Sequence, residues 1–192
     1  MNEQKEKYFD TLTIVLHWVM ALVIFGLFGL GLYMVDLSYY DAWYKGSTAL
    51  HKSGGLLLFM LLIIRIVWRL KCERINQAVT FRSGPKSWDE ILASLVQTAM
   101  YIFIAFLCFS GYFISTAGGR DVDFFSLFSL PPMPIEIENQ EDLAGTWHFY
   151  LAWGLMALVA LHAMGALKHH FIDRDKVLLN MIKPSKKISG DN

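Results

Sequence analysis

Charged residues are scarce in this chain, and the patterns typical of secreted proteins are missing. Charged residues make up 18% of the 192 residues and hydrophobic residues 55%, whereas soluble domains average about 25% and about 45–50%. Two cysteines, Cys72 and Cys108, are too few for a disulfide framework. The first apolar run, residues 12–35, is longer than the roughly 7–15 residues of a signal-peptide core, and no small-residue cleavage pattern follows it. The composition therefore favours a membrane protein that keeps its first apolar segment.

Four apolar segments are long enough to cross a hydrocarbon core about 30 Å thick. They predict helices over residues 12–35, 50–69, 91–115 and 145–169. Residues 70–90 predict a polar linker, because they contain the breaker pair Gly84 and Pro85, and residues 173–192 form a polar, basic tail. The segment FFSLFSL (124–130), within the loop 116–144, is too short to cross and is expected at the membrane interface. The predicted fold is an all-α integral membrane four-helix bundle, with the whole chain as one membrane domain.

The basic residues are distributed unequally between the two ends of these helices. Of the 17 Lys and Arg residues, only Lys45, Lys52 and Arg120 lie on the side that holds the loops after the first and third spans. Positive charge marks the cytoplasmic side. Both termini are therefore predicted to be cytoplasmic. The opposite side holds eight acidic residues: Asp36, Asp41, Asp121, Asp123, Glu136, Glu138, Glu141 and Asp142.

Four histidines lie in or near the ends of these spans, at two depths. His17 and His162 fall towards the cytoplasmic side, whereas His51 and His148 open their spans at the outer side. Fourteen residues separate His148 from His162, which gives about 21 Å of helical rise and a rotation within about 40° of whole turns. Each depth therefore offers one pair of imidazoles from different helices. Because neutral imidazole is a good axial ligand of haem iron, each pair could clamp a haem.

Other interpretations of these histidines stay open. Ionisable side chains inside a membrane commonly mark cofactors or ion paths, but a single histidine can also simply bond to a neighbouring helix. Zinc would need Cys or carboxylate ligands, and a proton relay usually includes Asp or Glu; the spans hold no acid at these depths. Glycines could leave room for a porphyrin or serve only as close-packing points. Those in question are Gly26, Gly29, Gly31, Gly54, Gly55, Gly154 and Gly165.

Further charged residues near the span ends are weaker candidates. Arg65 and Arg69, one turn apart, are either snorkelling anchors or partners of the propionates of an inner haem. Lys52 and Arg120 are the outer-side cations close to a span end, so they are candidate contacts for an anionic substrate or for outer propionates. His169–His170 are expected at the interface, either without a specific role or beside a propionate or a quinone head group.

Several segments, in order, resemble the bacterial cytochrome b561 family over about residues 8–183. They are LHW (16–18), LHKSGGLLL (50–58), IIRIVWRL (63–70), SGYFIST (110–116), WHFYLAW (147–153) and LHAMGALKHHFIDRD (161–175). The resemblance implies a four-helix membrane cytochrome with two b-type haems, whose axial ligands match His17, His51, His148 and His162. It also implies electron transfer between the membrane faces and quinone chemistry. One branch of the family oxidises superoxide at the outer surface and passes the electrons to ubiquinone.

The sequence-based prediction is thus an inner-membrane di-haem b cytochrome that transfers electrons across the membrane and is coupled to the quinone pool. The expected cofactors are two haem b groups, with ubiquinone as a substrate and superoxide as a candidate donor. The alternative is a haem-bearing anchor subunit that relays electrons from a peripheral dehydrogenase or hydrogenase. A haem-free helical membrane protein with structural histidines is a third interpretation. Membrane lipid, quinone and a protein electron-transfer partner are the expected partners, and nucleic acid is not.

Overall fold

The computed structural model describes residues 10–79, 88–134, 138–174 and 177–182. Four long helices dominate this part of the chain: α1 (Thr11–Val35), α2 (Tyr44–Val79), α3 (Trp88–Thr116) and α4 (Gln140–Phe171). Each contains a stretch that is long and apolar enough to cross a membrane. The predicted helical fold with four candidate membrane spans is therefore confirmed.

Helix α2 extends beyond the predicted span at both ends. The sequence placed the span at 50–69 and a polar linker at 70–90, but the helix begins at Tyr44 and continues to Val79. Residues 70–79 contain neither glycine nor proline, so no backbone feature ends the helix where its polarity rises. Polarity marks the point at which a helix leaves the hydrocarbon and does not mark its last residue. The rest of the predicted linker, residues 80–87, lies outside the described residues.

The carboxylate of Asp10 ties the start of α1 to α2. It caps α1 by accepting hydrogen bonds from the backbone N–H of Thr13, at 3.3 Å, and from the Thr13 hydroxyl. It also accepts from the indole Nε1 of Trp68 in α2, at 2.9 Å. Partial burial raises the pKa of Asp10, but these hydrogen bonds outweigh burial and leave the pKa below its usual value. At the His17 end of the bundle, one ionised side chain thus joins α1 to α2.

The helices pack in chain order around a small apolar core. Helix α1 packs on α2, α2 on α3, and α3 on α4, while the rings of Phe28 and Trp153, 5.2 Å apart, connect α1 to α4. The outward faces remain apolar, as Leu22 shows with an exposed fraction of 71%. Apolar residues around the whole helix circumference are typical of a bundle surrounded by lipid. The buried core consists of Met20, Ile24, Leu58, Leu62, Ile104 and Leu155.

The outer loop between α3 and α4 contains an antiparallel hairpin of strands β1 (Val122–Phe124) and β2 (Phe128–Leu130). Its turn is tight, because the N–H of Leu127 donates to the Phe124 carbonyl at 2.8 Å. The two central residues, Phe125 and Ser126, have φ angles of 45° and 59°. A turn of this hand usually takes Asn-Gly, which is why the sequence did not reveal it. The predicted interfacial segment 124–130 is therefore part of a hairpin that an all-α fold had not included.

The hairpin is fastened to the bundle at two places. The Ser53 hydroxyl on α2 donates to the carbonyl of Asp123 at 3.1 Å and accepts from the N–H of Phe125 at 3.0 Å. On α3, the Tyr112 hydroxyl donates to the Pro131 carbonyl at 2.6 Å. These contacts place the hairpin over the ends of α2 and α3 that lie near His51.

The tail after α4 also contains a helix, α5 (Val177–Ile182), where the sequence predicted a polar tail over 173–192. The indole Nε1 of Trp18 donates to the carbonyl of Met181 at 2.8 Å. This contact fixes α5 to the same end of α1 that carries His17. Residues 175–176 and 183–192 of the predicted tail lie outside the described residues.

Candidate functional site

The structure brings the four histidines together in the two predicted pairs. The rings of His17 on α1 and His162 on α4 have their centroids 6.1 Å apart, with 57° between their planes. The rings of His51 on α2 and His148 on α4 are also 6.1 Å apart, with 66° between their planes. Following the predicted orientation, we call these the inner pair and the outer pair. Helix α4 is continuous between its two histidines, so the pairs are separated by about 21 Å along its axis.

The separation of the rings suits one metal ion held between two imidazole nitrogens. The midpoint between two centroids 6.1 Å apart lies about 3 Å from each ring centre. A metal–imidazole bond is roughly 2.0–2.1 Å long, the value for zinc. Subtracting this length from the 3 Å or so between ring centre and midpoint leaves about 1 Å, which is close to the distance from the ring centre to a ring nitrogen. Within the described ranges, no group of three or more His, Cys, Asp or Glu side chains could hold a metal. Each depth presents two imidazoles, an arrangement that would suit haem, whose porphyrin supplies the other ligands.

Two glycines lie in contact with the rings of the outer pair. A Cβ added to Gly31 of α1 would come within 3.4 Å of His51 Cε1, and one added to Gly111 of α3 within 3.2 Å of His148 Cε1. Neither α1 nor α3 carries a histidine of the outer pair, yet each packs against one of its rings. The approach is tight at Gly111, whereas the distance at Gly31 is that of an ordinary van der Waals contact.

The other glycines in the spans do not lie against the histidines. An added Cβ would meet Leu27 at 2.9 Å from Gly54 and Phe103 at 2.5 Å from Gly154, so these two are close-packing points between helices. Gly54 and Gly154 thus follow the close-packing interpretation, whereas room for a porphyrin stays a prediction; Gly111 was not among the glycines considered from the sequence. At the remaining positions, Gly26, Gly29, Gly55 and Gly165, an added Cβ meets nothing within 4 Å.

The Nδ1 atoms of the outer pair have different surroundings. The His148 Nδ1 lies 3.0 Å from the hydroxyl oxygen of Ser110. The His51 Nδ1 is buried without a hydrogen-bond partner among the described residues. A buried polar atom without a partner is costly.

At the inner pair, an arginine contacts the histidine of α1. The Arg65 Nη2 lies 3.3 Å from His17 Nδ1, and its Nε donates to the Tyr101 hydroxyl at 3.0 Å. Because a guanidinium only donates, Nδ1 accepts in this arrangement and the ring proton lies on Nε2. Metal binding through Nε2 would require the other tautomer and would break this contact with Arg65. The guanidinium of Arg69 lies over the same Tyr101 ring, 5.8 Å from its centroid.

The predicted outer cations belong to a mixed charge cluster. Lys52, next to His51 on α2, lies within electrostatic range of Arg120, and also of Glu141 and Asp123. Lys52 is partly buried, whereas Arg120 is exposed. Two carboxylates therefore partly balance the two cations, and their predicted role as contacts for an anion stays a prediction.

His169 and His170 are placed apart from both pairs. The His169 Nδ1 lies 2.8 Å from the Asp173 carboxylate, and Lys168 bridges Asp173 and Asp89 at 3.2 and 3.1 Å. The ring of His170 packs edge-on against Phe171, with its Nδ1 buried and without a partner in the described part of the chain. This cluster joins the end of α4 to the start of α3, and the interfacial position of the two histidines stays a prediction.

Comparison with known proteins decides the family. A family model described as prokaryotic cytochrome b561 matches residues 8–184. The chain belongs to this family. Cytochrome b561 homolog 2 of Escherichia coli (strain K12) is 38% identical over 185 residues, covering 96% of each chain. Cytochrome b561 homolog 1 of the same organism is 25% identical over 187 residues, covering 93% of this chain and 98% of the relative. The probable superoxide oxidase CybB of Yersinia pestis is 29% identical over 185 residues, covering 94% and 98%.

Membership of the cytochrome b561 family confirms the resemblance predicted from the motifs, and it implies a b-type haem. With four helices able to span the bilayer, this cytochrome b561 is a multi-pass membrane protein. Sequence reasoning did not identify Tyr101, Ser110 or Gly111 as part of the site. Ser110 and Gly111 open the motif SGYFIST that supported the resemblance, so the signal was present without a residue-level interpretation.

Proposed function

We propose that this cytochrome b561 holds two b-type haems and transfers electrons across the membrane between them. His17 and His162 would bind the inner haem, and His51 and His148 the outer haem. The observation that carries the proposal is the pairing of imidazoles from different helices at two depths, with the same 6.1 Å separation of ring centroids. When bound between two imidazoles, a haem takes up and releases single electrons.

The helices set the relative positions of the two centres. Helix α4 supplies one ligand to each centre, so its length fixes their separation at about 21 Å along the helix. Helices α1 and α2 supply the second ligands at opposite ends of the bundle. If both histidines of a pair bind the iron, no coordination position is left for water or oxygen, and electrons are expected to enter and leave at the haem edges.

The charges of the loops support one orientation. The basic residues concentrate at the ends of the helices that bear His17 and His162, with three of the 17 on the opposite side. By the positive-inside rule, both termini lie in the cytoplasm and the hairpin faces outward from the inner membrane of a bacterium.

Lys52 and Arg120 suggest that the substrate on the outer side is an anion. Lys52 follows His51 directly, and Arg120 lies within its electrostatic range. Cations beside a redox centre raise the local concentration of a small anion. Superoxide is such an anion, and one relative is named a probable superoxide oxidase. We therefore propose a small anionic donor, superoxide as the first to test, and ubiquinone as the electron acceptor.

Absorption spectra of the purified protein test the haem assignment. We expect two haems per chain, both low-spin, in reduced-minus-oxidised spectra. His51→Ala and His148→Ala should each remove the outer haem and keep the inner one, and His17→Ala and His162→Ala should do the reverse. His170→Ala, on the same helix as two of the ligands but outside the pairs, is the matched control. A wild-type protein with one haem, or outer-pair variants that retain both, would disprove the proposal.

The outer hairpin favours a second candidate, an anchor subunit that receives electrons from a peripheral dehydrogenase or hydrogenase. The hairpin tip exposes Leu127, 77% accessible, beside Phe125 at 46%, and exposed apolar groups of this kind are common where proteins meet. Purification in mild detergent separates the candidates, because an anchor subunit should retain a flavin, iron–sulfur or nickel protein. A chain that purifies alone and reduces quinone by itself would rule out the anchor role.

A further inference from the structure

A serine on the helix that carries no histidine contacts one ligand of the outer pair. Ser110 on α3 is buried, and its hydroxyl oxygen lies 3.0 Å from His148 Nδ1 and 3.0 Å from the carbonyl oxygen of Leu107. A carbonyl oxygen only accepts hydrogen bonds, so the hydroxyl proton points to Leu107. The hydroxyl oxygen then accepts from His148, and the proton of the imidazole lies on Nδ1.

The Leu107 carbonyl also accepts from His148, so this carbonyl and the Ser110 hydroxyl together determine which nitrogen of His148 is available as a ligand. A neutral imidazole carries one proton, so a proton on Nδ1 leaves the lone pair of Nε2 free to bind a metal. The neighbouring Gly111 brings α3 close to the same ring, within 3.2 Å of Cε1 for an added Cβ. Ser110 and the Leu107 carbonyl therefore favour one tautomer of this imidazole, and Gly111 lets α3 approach its ring.

The partner imidazole lacks such a contact. The His51 Nδ1 has no hydrogen-bond partner in the described part of the chain. The outer pair is thus asymmetric, with one ring oriented by a serine and the other by packing against Gly31. A hydrogen bond accepted from Nδ1–H increases the electron donation of a metal-bound imidazole and holds its orientation.

We propose that Ser110 is a positioning residue for the outer haem, which fixes His148 in the tautomer that binds iron and lowers the reduction potential of that haem. The proposal rests on the proposed haem binding by His51 and His148. Ser110 does not touch the haem iron and acts through His148 alone. Residues that orient a histidine ligand from outside the coordination shell commonly change metal affinity by about 10–100-fold.

The test compares Ser110→Ala with Ser115→Ala in the purified full-length protein. Ser115 is a matched control, because it is buried on the same helix and its hydroxyl donates to the Gly111 carbonyl at 2.8 Å. Three properties are measured: the midpoint potentials of both haems by redox titration, the low-spin ferric EPR signals, and the rate of haem transfer to an apoprotein that scavenges haem. His148→Ala identifies which signal belongs to the outer haem.

Ser110→Ala should raise the potential of the outer haem, shift its EPR signal and speed its loss about 10–100-fold, while the inner haem stays unchanged. Ser115→Ala should leave all three properties at the wild-type values, and Ser110→Thr, which keeps a hydroxyl, should restore most of them. If Ser110→Ala does not accumulate, Ser110→Cys replaces it, since a thiol is a weak acceptor. Wild-type signals in the substituted protein, or equal changes in Ser110→Ala and Ser115→Ala, would overturn the proposal. A wild-type protein without a haem assigned to His148 would instead refute the proposed function.

Discussion

Replacing Gly154 by alanine should destabilise the bundle where α4 passes closest to α3. A Cβ at this position would lie 2.5 Å from Cε1 of Phe103 and 3.4 Å from its Cδ1, whereas carbon atoms pack at about 3.5–4.0 Å. The ring or the helix must therefore move by about 1 Å. Phe103 packs against the buried core, so the ring has little space to move. Overpacking of this kind costs about 1–3 kcal/mol.

Gly165→Ala is the matched control for this substitution. It lies on the same helix, and its added Cβ would meet nothing within 4 Å. Both alanines gain the same helix propensity, about 0.5–1 kcal/mol, so this contribution cancels in the comparison. The free energy of unfolding of Gly154→Ala should then be lower than that of Gly165→Ala by about 1–3 kcal/mol.

Unfolding of both variants in mild detergent by added dodecyl sulfate, followed by circular dichroism, measures this difference. Haem absorbance serves as a second probe, because α4 carries a histidine of each pair. Adding Phe103→Leu to Gly154→Ala should recover part of the lost stability, since the two side chains are coupled. Equal unfolding midpoints for Gly154→Ala and Gly165→Ala would show that the two helices do not approach as closely as described.

Three further predictions follow from particular contacts. Gly111→Ala should perturb the outer haem spectrum more than Gly31→Ala, because its Cβ would lie 3.2 Å from a ligand ring instead of 3.4 Å; equal spectra would contradict the contact assigned to α3. Asp10→Ala should cost about 0.5–2 kcal/mol at neutral pH. Because the pKa of Asp10 is lowered in the folded state, the stability that Asp10 contributes is present above the unfolded pKa of 3.8 and should vanish as the pH falls through the folded pKa. Thermal unfolding from pH 7 to pH 3 measures this loss, and a cost of Asp10→Ala that does not depend on pH would contradict it. Lys52→Gln and Arg120→Gln should each slow superoxide consumption several-fold and weaken its dependence on ionic strength, as stopped-flow rates will show, and unchanged rates in both would remove these cations from the outer site.

The histidine pairs could be predicted because they depend on long-range regularity. A continuous helix turns 100° or so per residue, and so the spacing of His148 and His162 alone placed them on one face at opposite ends. Their partners followed from the order of the spans. The same regularity predicted the four helices, whose apolar lengths exceed what a soluble helix needs.

The features that the sequence did not predict depend on local geometry between helices. A serine in an apolar helix usually bonds to its own backbone, and Ser110 does so while also accepting from His148, so its role needs the position of α4. The hairpin turn carries Phe125 and Ser126 in place of glycine or asparagine. The backbone conformation there is maintained by the contacts with Ser53 on α2, which no local pattern reveals.

The two hydrogen bonds of Ser53 connect the hairpin of the outer loop directly to the helix that carries His51. Ser53 lies two positions after His51 and holds both sides of the hairpin turn through one hydroxyl group. A displacement of the hairpin, by lipid or by a bound protein, would therefore act on α2 within one helical turn of His51. A substitution in the loop can therefore change the environment of the proposed outer haem without changing the histidines that would bind it.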